Sequence, residues 1–313
     1  MVRRDRAEYR GPVASAPAIQ TRELTRKFGN LVAVDHLDLE VEPGEIFGFL
    51  GPNGAGKTTT IRMLLDFIRP TAGRSLLLGG SGADPAIRAR VGYLPAALPL
   101  NRRYNGTTAL AFLQELRGGN HEARAKVLAD RFRLDLARPF GELSTGNRRK
   151  LGIVQAFMHK PDLLILDEPT SGLDPLLQAE FQALVLETAA AGATIFLSSH
   201  VLPEVEALAG RIAIIRNGRL AVVATMDELR ARARHRIVFS IEGEFDAGVF
   251  RNLPGVIEVG VSGQDITVVA EGSIDAVVKA AATLTVTRLE TPGDDLAEIF
   301  RAFYEGGGSE VER

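Results

Sequence analysis

The chain has 313 residues, of which 45% are hydrophobic and 24% charged, so its composition is that of an ordinary globular protein of about two domains. Its net charge of −2 provides no broad basic field, and no nucleic-acid partner is expected. The absence of cysteine excludes disulfides and thiolate metal sites, and no run reaches the roughly 18 apolar residues of a membrane span.

Residues 1–17 are predicted to form a flexible, solvated tail. A stretch rich in Pro, Ala, Gly and Ser follows four arginines, which are Arg3, Arg4, Arg6 and Arg10. No apolar segment follows them, and a secretory signal needs one, so no signal peptide is expected. Contact of the basic tail with an anionic membrane surface is the alternative.

Residues 18–85 are predicted to begin a nucleotide-binding unit. Residues 19–41 alternate apolar and polar side chains, as in an edge hairpin. Residues 45–50 have the pattern of a buried strand, and residues 59–68 that of a helix. The segment between them and into the helix is Gly51-Pro52-Asn53-Gly54-Ala55-Gly56-Lys57-Thr58-Thr59, here called the phosphate loop.

The phosphate loop fits the pattern G-x-x-x-x-G-K-[ST] at every constrained position. Its glycines let backbone N–H groups converge on an anion that no side chain blocks. Lys57 brings a positive charge to the β- and γ-phosphates, and the hydroxyl of Thr58 can ligate Mg²⁺. The helix that follows directs its positive end at the same phosphates. A glycine-rich turn that matches by chance is the alternative.

Residues 86–158 are predicted to form a mostly helical subdomain, with helices at 107–117 and 122–132. From residue 160 the pattern returns to a sheet. The strands predicted there cover residues 163–166, 193–198, 211–216 and 219–224.

The apolar run at 163–166 ends in two carboxylates, Asp167 and Glu168. A strand buried on both faces of a parallel sheet has this pattern, and such sheets bind ligands at their carboxyl ends. Asp167 is expected to hold Mg²⁺ through water, and Glu168 to polarise the attacking water. A strand that ends in a solvated acidic turn is the alternative.

With these motifs the chain is similar to the ATPase subunits of ABC transporters over residues 18–225. The resemblance implies an α/β fold whose core is a P-loop ABC ATPase, with a mixed sheet, an antiparallel β-subdomain and a helical subdomain at about residues 86–158. Leu143-Ser144-Thr145-Gly146-Asn147 resembles the family signature LSGGQ, followed by a predicted helix at 148–159. In the family this element closes on ATP held by the other subunit of a dimer. Ser144 and the backbone at Gly146 are therefore implied to touch the partner's γ-phosphate.

The chain contains further motifs that resemble those of the family. Ser171-Gly172-Leu173-Asp174 matches the D-loop of the family. His200 ends a strand that resembles the family's switch strand, and it is implied to bond the γ-phosphate and orient the water of Glu168. Phe28 falls where the family places an aromatic ring that stacks on adenine. A core phenylalanine in the hairpin is the alternative for Phe28.

Two positions depart from the family pattern. Ala96 stands where Gln is usual, and an alanine side chain can neither ligate Mg²⁺ nor bind water. In the signature, Asn147 replaces Gln and Thr145 replaces Gly. An Asn followed by a basic pair, here Arg148 and Arg149, resembles one branch of prokaryotic drug and antibiotic exporters, which also tends to lack the loop Gln. Both departures are therefore interpreted as features of this branch.

Residues 226–234 are predicted to form a linker helix, and residues 235–313 a small α+β accessory domain. The strands predicted there cover 236–241, 256–261, 265–269 and 284–289, and the helices 246–252 and 274–282. This order, β-α-β-β-α-β, indicates a ferredoxin-like fold. A last helix at 294–304 has Leu296, Ile299, Phe300 and Phe303 at helical spacing. It is expected to pack on its own domain, with a dimer contact as the alternative.

The sequence therefore predicts an ATPase that uses ATP and Mg²⁺ to drive export of a drug-like or lipid-like compound. It is expected to act as a homodimer, or a heterodimer with a similar subunit, peripherally on the cytoplasmic face of the cell membrane with a separately encoded membrane-spanning permease. A soluble ABC-type ATPase of translation or DNA maintenance is a second hypothesis, although its usual paired ATPase units or long coiled coils are missing. A low-turnover nucleotide-binding regulator is a third, which Ala96 favours and the intact Glu168 and His200 oppose.

Overall fold

The computed structural model describes residues 16–231, 234–243, 245–291 and 300. The strands are β1 (Ile19–Phe28), β2 (Leu31–Val41), β3 (Ile46–Leu50), β4 (Ala72–Leu77), β5 (Val91–Leu94), β6 (Leu163–Asp167), β7 (Thr194–Ser199), β8 (Arg211–Arg216), β9 (Arg219–Thr225), β10 (Arg234–Ile241), β11 (Val256–Ser262), β12 (Asp265–Glu271) and β13 (Val286–Glu290). The helices are α1 (Lys57–Leu64), α2 (Pro85–Ala89), α3 (Gly106–Arg117), α4 (Glu122–Arg131), α5 (Thr145–Phe157), α6 (Pro175–Ala190), α7 (Leu202–Glu206), α8 (Met226–Ala231), α9 (Gly248–Arg251) and α10 (Asp275–Ala281).

The first two strands of the described chain belong to an antiparallel sheet of three strands, in the order β2-β1-β4. β1 and β2 form the predicted hairpin, which closes where Phe28 pairs with Leu31. The sequence did not predict β4, because its first four residues, 72–75, lack the alternation of apolar and polar side chains that marks a strand. β4 is nevertheless held by pairing with β1, where Ile19 faces Leu77.

The central sheet has six strands in the order β5-β6-β7-β3-β8-β9, all parallel to their neighbours except β9. β6 is buried along its whole length and β3 along all but its first residue, as their continuous apolar sequences predict. The carboxyl ends of parallel strands share one edge of a sheet. The segments that follow β3, β5, β6 and β7 therefore meet at this edge, here called the carboxyl edge.

Both helices that frame the carboxyl edge begin earlier than predicted. α1 begins at Lys57 rather than residue 59 and ends at Leu64 rather than residue 68, because Asp66 adopts a positive φ of 56° that interrupts the helical path. α5 begins at Thr145 rather than residue 148, because the Ser144 hydroxyl accepts a hydrogen bond from the Asn147 N–H and caps the helix there. α5 ends at residue 157, two residues before the predicted end.

The helical region expected at about 86–158 contains α3 and α4, whose bounds differ from the prediction by one residue at most. Arg131 of α4 ties this region to α6, since it bonds both Glu180 and, at 2.6 and 2.8 Å, the two oxygens of Glu187. The sequence did not predict α6, nor the short α2 and α7. Within the described residues, no helix combines the length and the apolar character needed to cross a membrane.

A four-stranded antiparallel sheet follows, in the order β11-β12-β10-β13. Its strands alternate with α9 and α10 in the predicted order β-α-β-β-α-β, which is the split β-α-β arrangement. One face of the sheet packs on these helices through a separate hydrophobic cluster that includes Phe239, Phe250 and Val277.

Three terminal predictions need correction or lie outside the described residues. The linker helix ends at Ala231 rather than 234, because the backbone of Arg234 already pairs with Glu271 in β12. Of the last helix, 294–304, only Phe300 is described, and it is buried in the hydrophobic cluster of the central sheet and the helical region. The expectation that the helix packs on its own domain is wrong for this side chain. Of the predicted tail, residues 1–15 lie outside the described part.

His159 follows α5 and lies half-buried against α3, where the Arg117 guanidinium is 2.5 Å from its Nε2. Burial, reinforced by the Arg117 charge, lowers the pKa of His159 from 6.5 to about 4. In the unfolded chain the same imidazole takes up its proton at higher pH. The free energy of unfolding is therefore expected to be fully retained above pH 6.5 and to fall as the pH drops toward about 4.

Replacing His159 with Gln removes this titration. Across the same pH window the wild type is expected to lose on the order of 2 kcal/mol more unfolding free energy than His159→Gln, after allowing for the part of the ring that water reaches. Denaturant unfolding at neutral and acidic pH measures the difference, with His36→Gln in the exposed hairpin as the matched histidine control. An equal pH dependence for His159→Gln and wild type would contradict the assignment.

Candidate functional site

The phosphate loop connects β3 to α1 at the carboxyl edge. Gly54 and Gly56 adopt φ values of 82° and 111°, which L side chains rarely tolerate. A Cβ on Gly51 would lie 2.4 Å from the carbonyl oxygen of Ile215, so this position also requires glycine. The Gly51 N–H donates to the carbonyl of Ser199 at 3.2 Å, which fixes the start of the loop to β7.

The ammonium group of Lys57 joins the phosphate loop to the acidic end of β6. Its Nζ donates to the carbonyls of Gly51 at 2.6 Å and Pro52 at 3.2 Å, and lies 3.3 Å from Oε1 of Glu168. The side chain is only 6% exposed. A buried cation with rotatable donors is suited to phosphate oxygens, which can accept the same hydrogen bonds.

Thr58 and Asp167, the predicted Mg²⁺ residues, are in direct contact. The Thr58 hydroxyl donates to Oδ2 of Asp167 at 3.0 Å, and the Ser198 hydroxyl donates to Oδ1 at 2.7 Å. Adjacent ligands of an octahedral Mg²⁺ lie about 2.9 Å apart, given Mg–O distances of 2.0–2.1 Å. The hydroxyl and carboxylate oxygens therefore fit the ion in chemistry and in spacing. No role for Ser198 was predicted from the sequence, although its place opposite Asp167 follows from the register of the β6–β7 pairing.

Glu168 and His200, the predicted catalytic pair, are hydrogen-bonded. Oε2 of Glu168 lies 2.7 Å from Nδ1 of His200, whose side chain is 46% exposed. Glu168 has a positive φ of 50°, an uncommon conformation for a non-glycine residue that costs about 1–3 kcal/mol. Such strain persists where surrounding contacts hold it, and here the Glu168 N–H donates to the carbonyl of Ser198 at 3.0 Å. A carboxylate held beside an accessible imidazole can accept a proton from water.

The signature residues lie at the start of α5, and the D-loop residues lie before α6. Leu143 is buried, and the Gly146 backbone packs on the D-loop so closely that a Cβ there would be 2.9 Å from the carbonyl oxygen of Gly172. Asp174 caps α6 by accepting a hydrogen bond from the Leu177 N–H. In the described part of the chain, no hydrogen bond joins residues 143–147 to the phosphate loop.

Phe28 is 45% exposed at the end of β1 and belongs to none of the buried clusters. The alternative of a core phenylalanine is therefore wrong. The guanidinium of Arg26 lies over the ring, 4.5 Å from its centroid. The exposed ring remains a candidate for stacking on a base.

Arg149 was noted in the sequence only as part of a basic pair, yet it is buried at the carboxyl edge. It donates to the carbonyl oxygens of Pro95 at 2.7 Å and Ala96 at 2.8 Å, and to that of Ser171 at 3.4 Å. Burial lowers its pKa, while the charges of Asp167 and Glu168 act in the opposite direction. No local pattern predicts these contacts, since all three acceptors are backbone groups far away in sequence.

The sequence model of the ABC transporter family matches residues 34–171. Bacitracin transport ATP-binding protein BcrA of Bacillus licheniformis is 36% identical over 249 residues, which cover 74% of this chain and 77% of that protein. Daunorubicin/doxorubicin resistance ATP-binding protein DrrA of Streptomyces peucetius is 38% identical over 68% of this chain and 67% of that protein. The solved structure of an ATP-binding subunit of an ABC transporter superposes with a TM-score of 0.63 at 30% identity, covering 68% of this chain and 92% of that one.

Proposed function

The chain belongs to the ABC transporter family as one of its ATP-hydrolysing subunits, and from this premise we propose that it drives export of a drug-like or lipid-like compound through a separately encoded membrane protein. The observation that carries the ATP-hydrolysing part of the proposal is the contact of Lys57 with Glu168 and of Glu168 with His200 at one sheet edge. Relatives named for bacitracin transport and for daunorubicin/doxorubicin resistance support the class of compound.

ATP binds with its phosphates in the phosphate loop and its adenine on Phe28. The glycine conformations turn backbone N–H groups toward the phosphates, and the N-terminus of α1 adds its positive end. Lys57 exchanges its bonds to the loop carbonyls for bonds to the β- and γ-phosphates. The exposed Phe28 ring offers a stacking surface to the base.

Thr58 would hold Mg²⁺ directly and Asp167 would hold it through water, since hydroxyl and carboxylate oxygens suit this ion and the two side chains lie side by side. When bound, the ion neutralises charge that develops on the β- and γ-phosphates. Ser198 keeps one oxygen of Asp167 engaged, so that the carboxylate presents its other oxygen toward Thr58. Within the described residues, no group of three or more His, Asp or Glu side chains forms a separate metal site.

Glu168 acts as the group that orients and deprotonates the attacking water. Its hydrogen bond to His200 fixes the direction of the carboxylate, and the imidazole is exposed enough to reach the γ-phosphate. Proton transfer then runs from the water to Oε1 or Oε2 of Glu168 as the water oxygen bonds to the γ-phosphorus. The bond from that phosphorus to the β–γ bridging oxygen breaks in the same displacement, so that ADP leaves with this oxygen and inorganic phosphate is formed.

Two subunits enclose two ATP molecules, each between the phosphate loop of one subunit and the signature of the other. The exposed Ser144 at the N-cap of α5 supports this arrangement, because an accessible hydroxyl beside the first N–H groups of a helix is suited to a phosphate of a second subunit's nucleotide. A second copy, or a similar subunit, supplies that signature.

The permease is expected to dock in a groove of about 430 Å³ next to the carboxyl edge. Its lining is mostly apolar and includes Phe67, Tyr93, Pro95, Ala97, Leu98 and Leu113. Burial, and then the charge of Asp167, raises the pKa of Tyr93 to about 12, so the phenol stays neutral. An apolar segment between two membrane spans of the permease suits this lining. With such a permease, the proposal is that the subunit acts on the cytoplasmic face of the membrane as a peripheral protein.

Ala96 lies exposed beside this groove, and its replacement by Gln tests the interpretation of the missing side chain. Affinity for Mg²⁺-ATP is expected to stay within about tenfold, or ~1.4 kcal/mol, because water can complete the Mg²⁺ octahedron. The degree to which the permease stimulates hydrolysis is expected to change. Nucleotide affinity and ATPase rate, with and without the copurified membrane protein, measure both effects.

The control for Ala96→Gln is Ala83→Gln, which adds the same side chain at another exposed alanine. If the wild type shows no Mg²⁺-dependent hydrolysis even with its permease, and Ala96→Gln restores it, the chain is a low-turnover regulator instead.

Copurification of the chain with a membrane protein, followed by ATPase assays in lipid with candidate compounds, tests the proposed function. A multi-span protein that binds the chain and compounds that raise the rate are expected. Purification without any membrane partner, together with full activity in its absence, would favour a soluble ATPase.

A further inference from the structure

Arg149 lies on the second turn of α5, and it is only 8% exposed. Its two terminal nitrogens donate to neighbouring carbonyls of one loop, at Pro95 and Ala96, with distances of 2.7 and 2.8 Å. The planar guanidinium fork matches two acceptors at once, which a lysine ammonium cannot do in the same geometry. One side chain thus binds the loop after β5 to the helix that begins with the signature.

The third contact of Arg149 reaches the segment that follows the catalytic carboxylate. Its Nε donates to the carbonyl of Ser171 at 3.4 Å, and the Ser171 N–H in turn donates to the carbonyl of Glu168 at 3.3 Å. The charges of Asp167 and Glu168 also act on the guanidinium. Arg149 therefore touches the loop beside the permease groove, the signature helix and the D-loop together.

The strand that precedes this loop is fixed to α5 by other residues. Gln155 donates to the carbonyl of Tyr93 at 2.6 Å, and Gly152 packs against Leu94 so closely that a Cβ would lie 2.6 Å from that side chain. Arg149 continues this attachment beyond the end of β5. Because its acceptors are backbone oxygens, the attachment does not depend on the side chain at position 96.

We propose that Arg149 is a positioning residue that couples the loop at 95–97 to the signature helix and the D-loop, so that nucleotide binding is transmitted to the groove without a glutamine at position 96. The inference rests on the proposed function. A movement of α5 carries the loop with it, since one guanidinium holds two neighbouring carbonyls and breaking the contact leaves the buried Arg149 without these acceptors. Ala96 is tolerated because its carbonyl, and not its side chain, makes the link.

Hydrogen exchange with Mg²⁺-ATP as the probe tests this transmission in the full chain carrying Glu168→Gln, which holds the nucleotide. With Arg149 present, ATP is expected to slow exchange at amides 54–58 and, at least about fivefold, at amides 96–98, a factor at the low end of coupling between sites. With Arg149→Lys, protection at 54–58 is expected to remain while protection at 96–98 is lost. Arg124→Lys is the matched control, because Arg124 donates to the carbonyl of Phe157 at the other end of α5.

Protection at 96–98 that persists in Arg149→Lys would overturn the proposal, as would loss of protection at both segments, which would indicate a role in binding or folding. If Arg149→Lys does not fold, the same hydrogen exchange is measured on Arg149→Gln. Failure of both variants to fold would show that Arg149 is purely structural and would overturn the proposal. If ATP does not slow exchange at amides 54–58 even with Arg149 present, the chain does not bind ATP in the phosphate loop. That outcome contradicts the proposed function itself, and it differs from every outcome that tests Arg149.

Discussion

Replacing Glu168 with Gln is expected to lower the ATP turnover number at least ~100-fold, the low end for loss of a general base. The amide keeps the size of the side chain and can still bond His200, but it cannot accept the proton of the attacking water. ATP binding is expected to survive, since the phosphate loop and Lys57 are unchanged. The variant should accumulate as an ATP-bound dimer.

Turnover under saturating ATP, nucleotide affinity and size-exclusion behaviour with ATP measure these effects. Glu206→Gln serves as the control, because Glu206 at the end of α7 is ion-paired with Arg230 of α8 and has no part in the site. Near-wild-type hydrolysis by Glu168→Gln would remove Glu168 from the mechanism.

Mixing two inactive variants is expected to restore one intact ATP site per heterodimer. Lys57→Ala removes the cation of the phosphate loop, and Ser144→Asp places a negative charge where the partner's γ-phosphate is expected. Each homodimer then carries two damaged sites, with turnover at least ~100-fold below wild type. In the heterodimer both lesions fall in one composite site, and the other site carries neither.

Ser144→Asp is preferred to a substitution at Gly146 for a structural reason. Any side chain on Gly146 would press on the Gly172 carbonyl of its own D-loop, whereas Asp is as good a helix N-cap as Ser and preserves α5. The chain has no cysteine, so one introduced on each variant provides a unique label for energy transfer between subunits. ATP-dependent transfer between subunits should appear only in the mixture, and its absence there would contradict the shared site.

The local sequence was sufficient to predict the position of a motif whose residues are consecutive in the chain. The segment predicted as the phosphate loop lies between β3 and α1, and Asp167 ends β6 as predicted, because glycines, a lysine and an apolar strand all fall in short segments. The fold class, which the resemblance to ABC ATPases implied, was confirmed. The order of the β-α-β-β-α-β tail also followed from periodicity alone.

Contacts between distant segments could not be predicted in this way. Ser198 reaches Asp167 only through the pairing of β6 with β7, and Arg149 reaches Ala96 only because α5 packs on the end of β5. α5 begins earlier than predicted because the Asn147 N–H donates a capping hydrogen bond to the Ser144 hydroxyl. The position of Phe300 in the main core likewise depends on tertiary packing that helical spacing does not encode.

The arginine over Phe28 has a consequence for nucleotide choice. With the Arg26 guanidinium 4.5 Å from the ring centroid on one side, a base can stack on the opposite side only. Stacking on an aromatic ring is tolerant of base identity, because every base presents a π-face. If Phe28 stacks on the base as proposed, it supplies affinity for a purine without distinguishing adenine from guanine. We then expect the chain to accept GTP unless another side chain contacts the edge of the base.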